Sequence, residues 1–160
     1  MTETAQYVTL GIDREIFAVP VESVQEILDM RDVSRLPHAP GYLLGIIDVR
    51  GRSVPVIDLR TKLALPSVPP TPDTRILVLE VAIDGRAVVL GMVADRVFEV
   101  TGLDTDQIEP PPEIGRRWRS DYIIGVGRRR EAFVIIFDTG RLFAADDLAA
   151  IDSAPPDVAA

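Results

Sequence analysis

The chain has 160 residues, 47% of them hydrophobic, enough for one ordinary domain or for two small lobes around a shared core. Its formal charge of −8 opposes general affinity for nucleic acid or an anionic membrane, and the absence of cysteine excludes disulfides, thiolate metal sites and cysteine nucleophiles. No apolar run approaches the roughly 18 residues that span a bilayer, and the opening MTETAQYVTLGID lacks the charged-then-apolar layout of a signal peptide, so a cytoplasmic protein is expected.

In chain order the pattern is mainly β. Residues 7–12 and 16–19 flank Asp13-Arg14-Glu15 and read as a hairpin. Residues 21–28 read as one helical turn followed by a strand. Two apolar runs, from Tyr42 and to Asp58, enclose the charged knot Asp48-Val49-Arg50-Gly51-Arg52-Ser53, in which Gly51 can supply the positive φ of a tight turn and so place Arg50 at a rigid, exposed corner. The prolines of Leu65-Pro66-Ser67-Val68-Pro69-Pro70-Thr71-Pro72 cannot continue a ladder and mark an extended connector. Residues 76–81 and 87–93 flank Ile83-Asp84-Gly85, a stronger hairpin signal because Asp and Gly both tolerate positive φ. Residues 95–100 again read as a helical turn leading into a strand. Residues 144–151 have the layout of a short capped helix, and residues 152–160 that of a flexible tail.

The chain repeats itself. Tyr42-Leu43-Leu44-Gly45-Ile46 matches Tyr122-Ile123-Ile124-Gly125-Val126, and Val54-Pro55-Val56-Ile57-Asp58 matches Val134-Ile135-Ile136-Phe137-Asp138, each pair 80 positions apart. Many short strands without a long amphipathic helix suggest small closed barrels, since closure removes exposed edges. The expectation is an all-β protein of two five-stranded barrel lobes with short helices, lobe 1 over about residues 7–68 and lobe 2 over about 74–145, forming one domain across 1–160.

The chemical inventory proposes no reaction. His38, the one histidine, stands in the loop Leu36-Pro37-His38-Ala39-Pro40 without an evident partner, and acidic stretches such as Asp104-Thr105-Asp106 lack metal-ligand spacing. No phosphate-binding loop, nucleophile elbow or zinc-protease motif is present, and Gly125 and Gly127 precede a strand rather than open a helix. Asp58 and Asp138 could form an acid–base pair, but equivalent strand-end turns explain equivalent aspartates more simply. No catalytic residue, metal or cofactor is expected. Two arginine clusters, Arg116, Arg117 and Arg119 around Trp118, and Arg128-Arg129-Arg130, permit a rival reading as a nucleic-acid-binding barrel. All basic residues except Lys62 are Arg, so clustering partly reflects usage.

Leu36-Pro37 then Pro40, Leu44-Gly45-Ile46-Ile47, Val49-Arg50-Gly51, the run from Val54 to Arg60, Val93-x-Asp95-x-Val97, Ile108-x-Pro110-x-Pro112 and Tyr122-x-x-Gly125 together resemble the CheW family of chemotaxis coupling proteins. The resemblance runs from about Tyr7 to Phe143. It implies two SH3-like barrels, no enzymatic activity, and an adaptor linking the cytoplasmic tip of a chemoreceptor to the regulatory domain of a CheA-type histidine kinase, in membrane-attached arrays reached only through those partners. Carried over position by position, receptor contacts fall on Val24, Glu26, Arg50, Ile76 and Val100, and kinase contacts on Val33, Leu36, Ser53 and Ile114. No nucleic acid and no direct membrane contact are implied. A coupler for another receptor–kinase pathway, such as surface motility or gene regulation, is the alternative. The chain departs from the family pattern at Asp48, where Asn is common, at Thr139-Gly140, and at the Arg128 to Arg130 run; in the second repeat Glu131 stands where the first has Gly51.

Overall fold

The computed structural model describes residues 4–83, 85–110, 122–129 and 132–143. It is a β protein: β1 (Thr4–Ile12), β2 (Glu15–Pro20), a 3-10 turn (Val21–Ser23), β3 (Val24–Asp29), β4 (Leu43–Val49), β5 (Arg52–Asp58), the one-turn helix α1 (Leu59–Lys62), β6 (Arg75–Ile83), β7 (Arg86–Ala94), β8 (Arg96–Asp104), a 3-10 turn (Thr105–Gln107), β9 (Ile123–Arg129), β10 (Ala132–Phe137) and the one-turn helix α2 (Thr139–Leu142). Both expected hairpins form, and the turn at residues 21–23 precedes its strand as expected. No helical turn follows β7. Asp95 alone links it to β8, which bulges opposite β1 where the Thr9 hydroxyl donates to the Glu99 carbonyl at 2.8 Å. The short helix expected at residues 144–151 and the tail lie outside the described residues.

The ten strands form two five-stranded sheets, ordered β8-β1-β2-β10-β9 and β3-β6-β7-β5-β4. The two are the same unit twice, with β3 matching β8, β6 matching β1, β7 matching β2, β5 matching β10 and β4 matching β9. Each has one parallel neighbour pair, β2 with β10 and β7 with β5. This grouping differs from the contiguous lobes at 7–68 and 74–145. The hairpins are exchanged: β1–β2 joins the strands that follow Asp95, while β6–β7 joins β3, β4 and β5. The physical reason lies in the links. Three residues after β2 and a single residue after β7 carry the chain from one sheet to the other, so each hairpin serves the opposite copy.

Exchange ties the sheets through a common core. Val8, Leu10, Ile12 and Val19 from one sheet pack with Ile57, Leu77, Leu79, Leu90 and Met92 of the other, and with Leu59, Leu142 and Phe143. Phe17 and Phe137 stack there with centroids 4.8 Å apart. Each barrel also has its own interior: Tyr7, Ala18, Leu103, Val134 and Ile136 in one, and Ile47, Val54, Val56 and Ile76 in the other. Asp58 and Asp138 end equivalent strands and cap the one-turn helices. Asp58 accepts from the Arg60 amide at 3.2 Å and the Thr61 hydroxyl at 2.8 Å, and Asp138 accepts from the Arg141 amide at 3.2 Å. This is the strand-end role expected for the two aspartates.

Equivalent backbone bridges close the barrels. Ser34 and Ile46 exchange N–H···O bonds of 2.9 and 2.8 Å, and Glu109 and Val126 bonds of 2.9 and 2.7 Å. Each passes beside a glycine. A Cβ on Gly45, whose φ is +149°, would collide with the Ser34 carbonyl oxygen, and one on Gly125 would lie 2.6 Å from the Glu109 oxygen. Gly45→Ala should therefore destabilise the protein by about 3 kcal/mol through combined strain and a broken bridge. A urea midpoint unchanged from the parent would show that the closure tolerates a side chain.

Candidate partner-binding surface

The knot between β4 and β5 is a two-residue hairpin turn. Val49 pairs with Arg52, and Arg50 and Gly51 between them have φ of +54° and +83°, the type I′ pattern. Glycine adopts this readily, whereas an L side chain in the left-handed region costs about 1–2 kcal/mol. Asp48 braces the turn, its Oδ1 accepting from the Gly51 amide at 2.9 Å. The aspartate that departs from the family pattern is thus committed to holding the turn shut. The side chain of Arg50 is 82% exposed and its Nη2 donates to Glu26 Oε1 at 3.3 Å, a single-point contact that leaves most of the guanidinium donors facing solvent.

Glu26 reaches this position through a bulge in β3. Val24 pairs with Leu79 but Glu26 with Val78, so the two residues fall on opposite faces of the strand. Val24 packs against the common core, while Glu26 turns to the end of the barrel where Arg50 stands. Val100 lies on β8 of the other sheet, paired with Val8 of the common core, and is 56% exposed. Val24 and Val100 are equivalent positions of the two units, since their partners Leu79 and Val8 stand at the same place in matching hairpins. Both therefore border the seam between the sheets, one from each side.

Of the five receptor-side positions, the structure joins Glu26 with Arg50 directly and sets Val24 and Val100 on matching rims. Ile76 is corrected. It has no exposed surface and sits inside the second barrel with Ile47, Val54 and Val56, paired across the strands with Leu28. Phe98, 44% exposed with Arg96 5.5 Å from its ring centre, is a further exposed apolar side chain on β8, the strand that carries Val100, and motif reading misses it. Its sequence signal is an aromatic two residues from Val100 in a strand.

The expected kinase-side positions are not gathered into one cluster. Val33 packs against the interior of the second barrel, Leu36 against the common core, and Ser53 is exposed on β5 opposite Asp48. Ile114 lies outside the described residues, as do Arg116, Arg117, Trp118, Arg119, Arg130 and Glu131. Arg128 stacks over Phe133 with its guanidinium carbon 5.0 Å from the ring centre. His38 is exposed, with a φ of +60°. Among the described residues no group of three or more His, Cys, Asp or Glu could hold a metal ion, and no helix is long and apolar enough to cross a membrane.

One ion-pair network spans the seam. Arg60 of α1 donates to Asp95 from Nε at 2.9 Å and from Nη2 at 2.7 Å, a bidentate pair with side chains only 11% and 19% exposed. Asp95 also accepts from the Asp13 amide at 2.7 Å, Arg60 lies 3.5 Å from the Asp13 carboxylate, and Arg96 donates to the Asp13 carbonyl at 2.7 Å. The network thus joins the end of β5, the single-residue link before β8 and the turn of the opposite sheet's hairpin. Burial alone would raise the Asp95 pKa, but hydrogen bonds from Arg60 and the Asp13 amide, with the charges of Arg60 and Arg96, outweigh it and hold the carboxyl below its ordinary value. The Arg60 pKa is raised, chiefly by its hydrogen bond to Asp95.

A carboxyl depressed in the folded state stabilises fully above its unfolded pKa, and the contribution is lost as pH falls through the folded value. Asp95→Asn should cost about 1–3 kcal/mol at neutral pH, with the difference from the parent shrinking below about pH 4. Urea unfolding of both proteins at neutral and acid pH checks this, and a gap that persisted unchanged in acid would assign the loss to packing instead of charge.

Comparison with known proteins agrees with this architecture. Residues 6–147 match the CheW-like domain. The chain is 31% identical over 148 residues to a chemotaxis protein CheW of Klebsiella aerogenes, covering 92% of this chain and 87% of that protein. It is 27% identical over 146 residues to a chemotaxis protein CheW of Treponema pallidum, covering 91% and 86%. The crystal structure of the scaffolding protein TtCheW from Thermoanaerobacter tengcongensis superposes with a TM-score of 0.78 at 26% identity, covering 91% of this chain and 96% of that one. A single match from strand β1 to α2, carrying the same fold, leaves one conclusion: this chain belongs to the CheW-like family.

Proposed function

We propose that the protein is a non-catalytic adaptor in chemotaxis signalling that couples chemoreceptors to a CheA-type histidine kinase, and that it joins membrane-attached arrays through those partners. The observation that carries the reading is the Arg50 turn. A family member spends backbone strain and an aspartate brace to hold one arginine 82% exposed, tethered by a single 3.3 Å contact, which is a poor way to stabilise a fold and a good way to present a donor. Arg50 would meet a carboxylate on the receptor tip, Glu26 would keep its orientation, and the rims at Val24 and Val100 would receive the apolar face of a receptor helix. Val33, Leu36, Ser53 and Ile114 remain the proposed kinase-side positions.

Two measurements bear on this. Size-exclusion chromatography of the chain with the kinase regulatory domain, with and without a receptor tip fragment, should give a ternary complex; failure to bind either partner while folded would reopen the function. Arg50→Glu should weaken receptor-fragment binding at least tenfold, with little change in melting temperature because an exposed ion pair contributes below about 1 kcal/mol. Unchanged binding by that variant would remove Arg50 from the interface.

A further inference from the structure

The connector between α1 and β6 carries two overlapping P-x-x-P runs, Pro66-Ser67-Val68-Pro69 and Pro69-Pro70-Thr71-Pro72. Proline fixes its own φ near −65°, and Leu65, Val68, Pro69 and Thr71 each precede a proline and are driven to extended backbone. These sterics favour polyproline II backbone from Pro66 to Thr71, after which the chain turns at Pro72 and Asp73, where the Thr74 amide donates to the Thr71 carbonyl at 3.1 Å.

Both ends are fastened. Arg60 Nη1 donates to the Pro66 carbonyl at 3.1 Å and the Ser67 hydroxyl to Asp58 at 3.2 Å. At the far end the Thr71 amide donates to the Thr74 hydroxyl at 2.8 Å, and Arg75 Nη1 to the Pro72 carbonyl at 2.8 Å. Among the described residues, no hydrogen bond reaches the carbonyls of Val68, Pro69 or Pro70 between these anchors. Val68 is 49% exposed. Open clefts flank the same three residues: one of about 580 Å³ toward Arg60, Asp95 and Arg96, the other of about 960 Å³ toward Met30, Val33 and Leu44. The segment is therefore a stiff strap held clear of the barrel, with free acceptors and room on two sides.

We infer that this strap is a second docking element, read by a domain whose aromatic-lined groove takes polyproline II ligands. Proline rings would fill pockets between the partner's aromatic side chains, and indole or phenol donors would reach the free carbonyls. Anchoring at both ends lowers the ordering cost of capture, because it limits the shapes the strap can take before binding. A plain linker would need neither the doubled motif nor the standoff. The inference does not depend on the adaptor reading, since it uses none of the residues at the Arg50 turn.

The test is a nitrogen-15 titration of the full chain with an isolated SH3 domain as the probe, and with the same domain lacking its groove tryptophan. Saturating shifts are expected at the amides of Ser67, Val68 and Thr71 with the intact groove only. The double variant Pro69→Ala, Pro70→Ala should weaken binding at least tenfold at an unchanged melting temperature. Should that variant melt early, Val68→Asp decides the matter, because its side chain is half exposed and outside the anchors. Absence of saturating shifts, equal binding by the groove-deficient probe, or parental binding by the folded variant would overturn the inference and leave the strap a linker.

Discussion

The bidentate pair between Arg60 and Asp95 is the constraint on which the arrangement of the two sheets rests. Hairpin exchange means that the chain crosses the seam with almost no slack, a single residue between β7 and β8. Asp95 is that residue. By gathering the Arg60 guanidinium and the Asp13 amide around one carboxylate, it fixes where β8 begins relative to α1 and to the opposite hairpin. The low exposure of both partners makes the pair stronger than a surface salt bridge, and the several hydrogen bonds offset the desolvation that burial imposes. Apolar burial in the common core supplies most of the folding energy, but it is non-directional, and the ion pair adds orientation.

That orientation matters because the proposed binding rims come from different sheets. Val24 is positioned by β3 and Val100 by β8, and nothing local holds one to the other. Two β-bulges refine the surface further. The bulge in β3 separates Val24 from Glu26 by one face, and a bulge in β8 falls between Val97 and Val100, where Phe98 is exposed. The Arg50 turn then supplies charge at the end of one barrel only. The corresponding β3 position in the other unit is Thr101, a neutral residue paired with Tyr7, so two nearly symmetric units present an asymmetric surface. Asymmetry of this kind can fix the direction in which an elongated partner lies.

Much of this is legible in the residues. Turn chemistry marks both hairpins, the 80-residue spacing marks the duplication, and Gly51 marks the positive-φ corner at Arg50. The exchange of hairpins is not legible, because repeat matching identifies strands of one kind without saying which copy supplies the neighbour; the short links decide that, and their significance emerges only once the sheets are drawn. The receptor-side placement of Ile76 rests on a contact carried over from the family resemblance, and the strand pattern gives no warning against it: with one buried and one seam-facing side, β6 has two apolar faces, and alternation does not say which is the barrel interior. Arg60 and Asp95 are visible as motif positions, yet their pairing joins residues 35 apart through a fold that has to be known first.

Under the proposed function, the rims on the two sheets, held by the Arg60–Asp95 network, act on one partner together. The most direct measurement is a methyl-resolved titration of the chain with a receptor tip fragment, following Val24 and Val100 in the same experiment. Both methyl signals should move with a single common dissociation constant. Movement of only one of them, or saturation at clearly different concentrations, would contradict a shared surface across the seam.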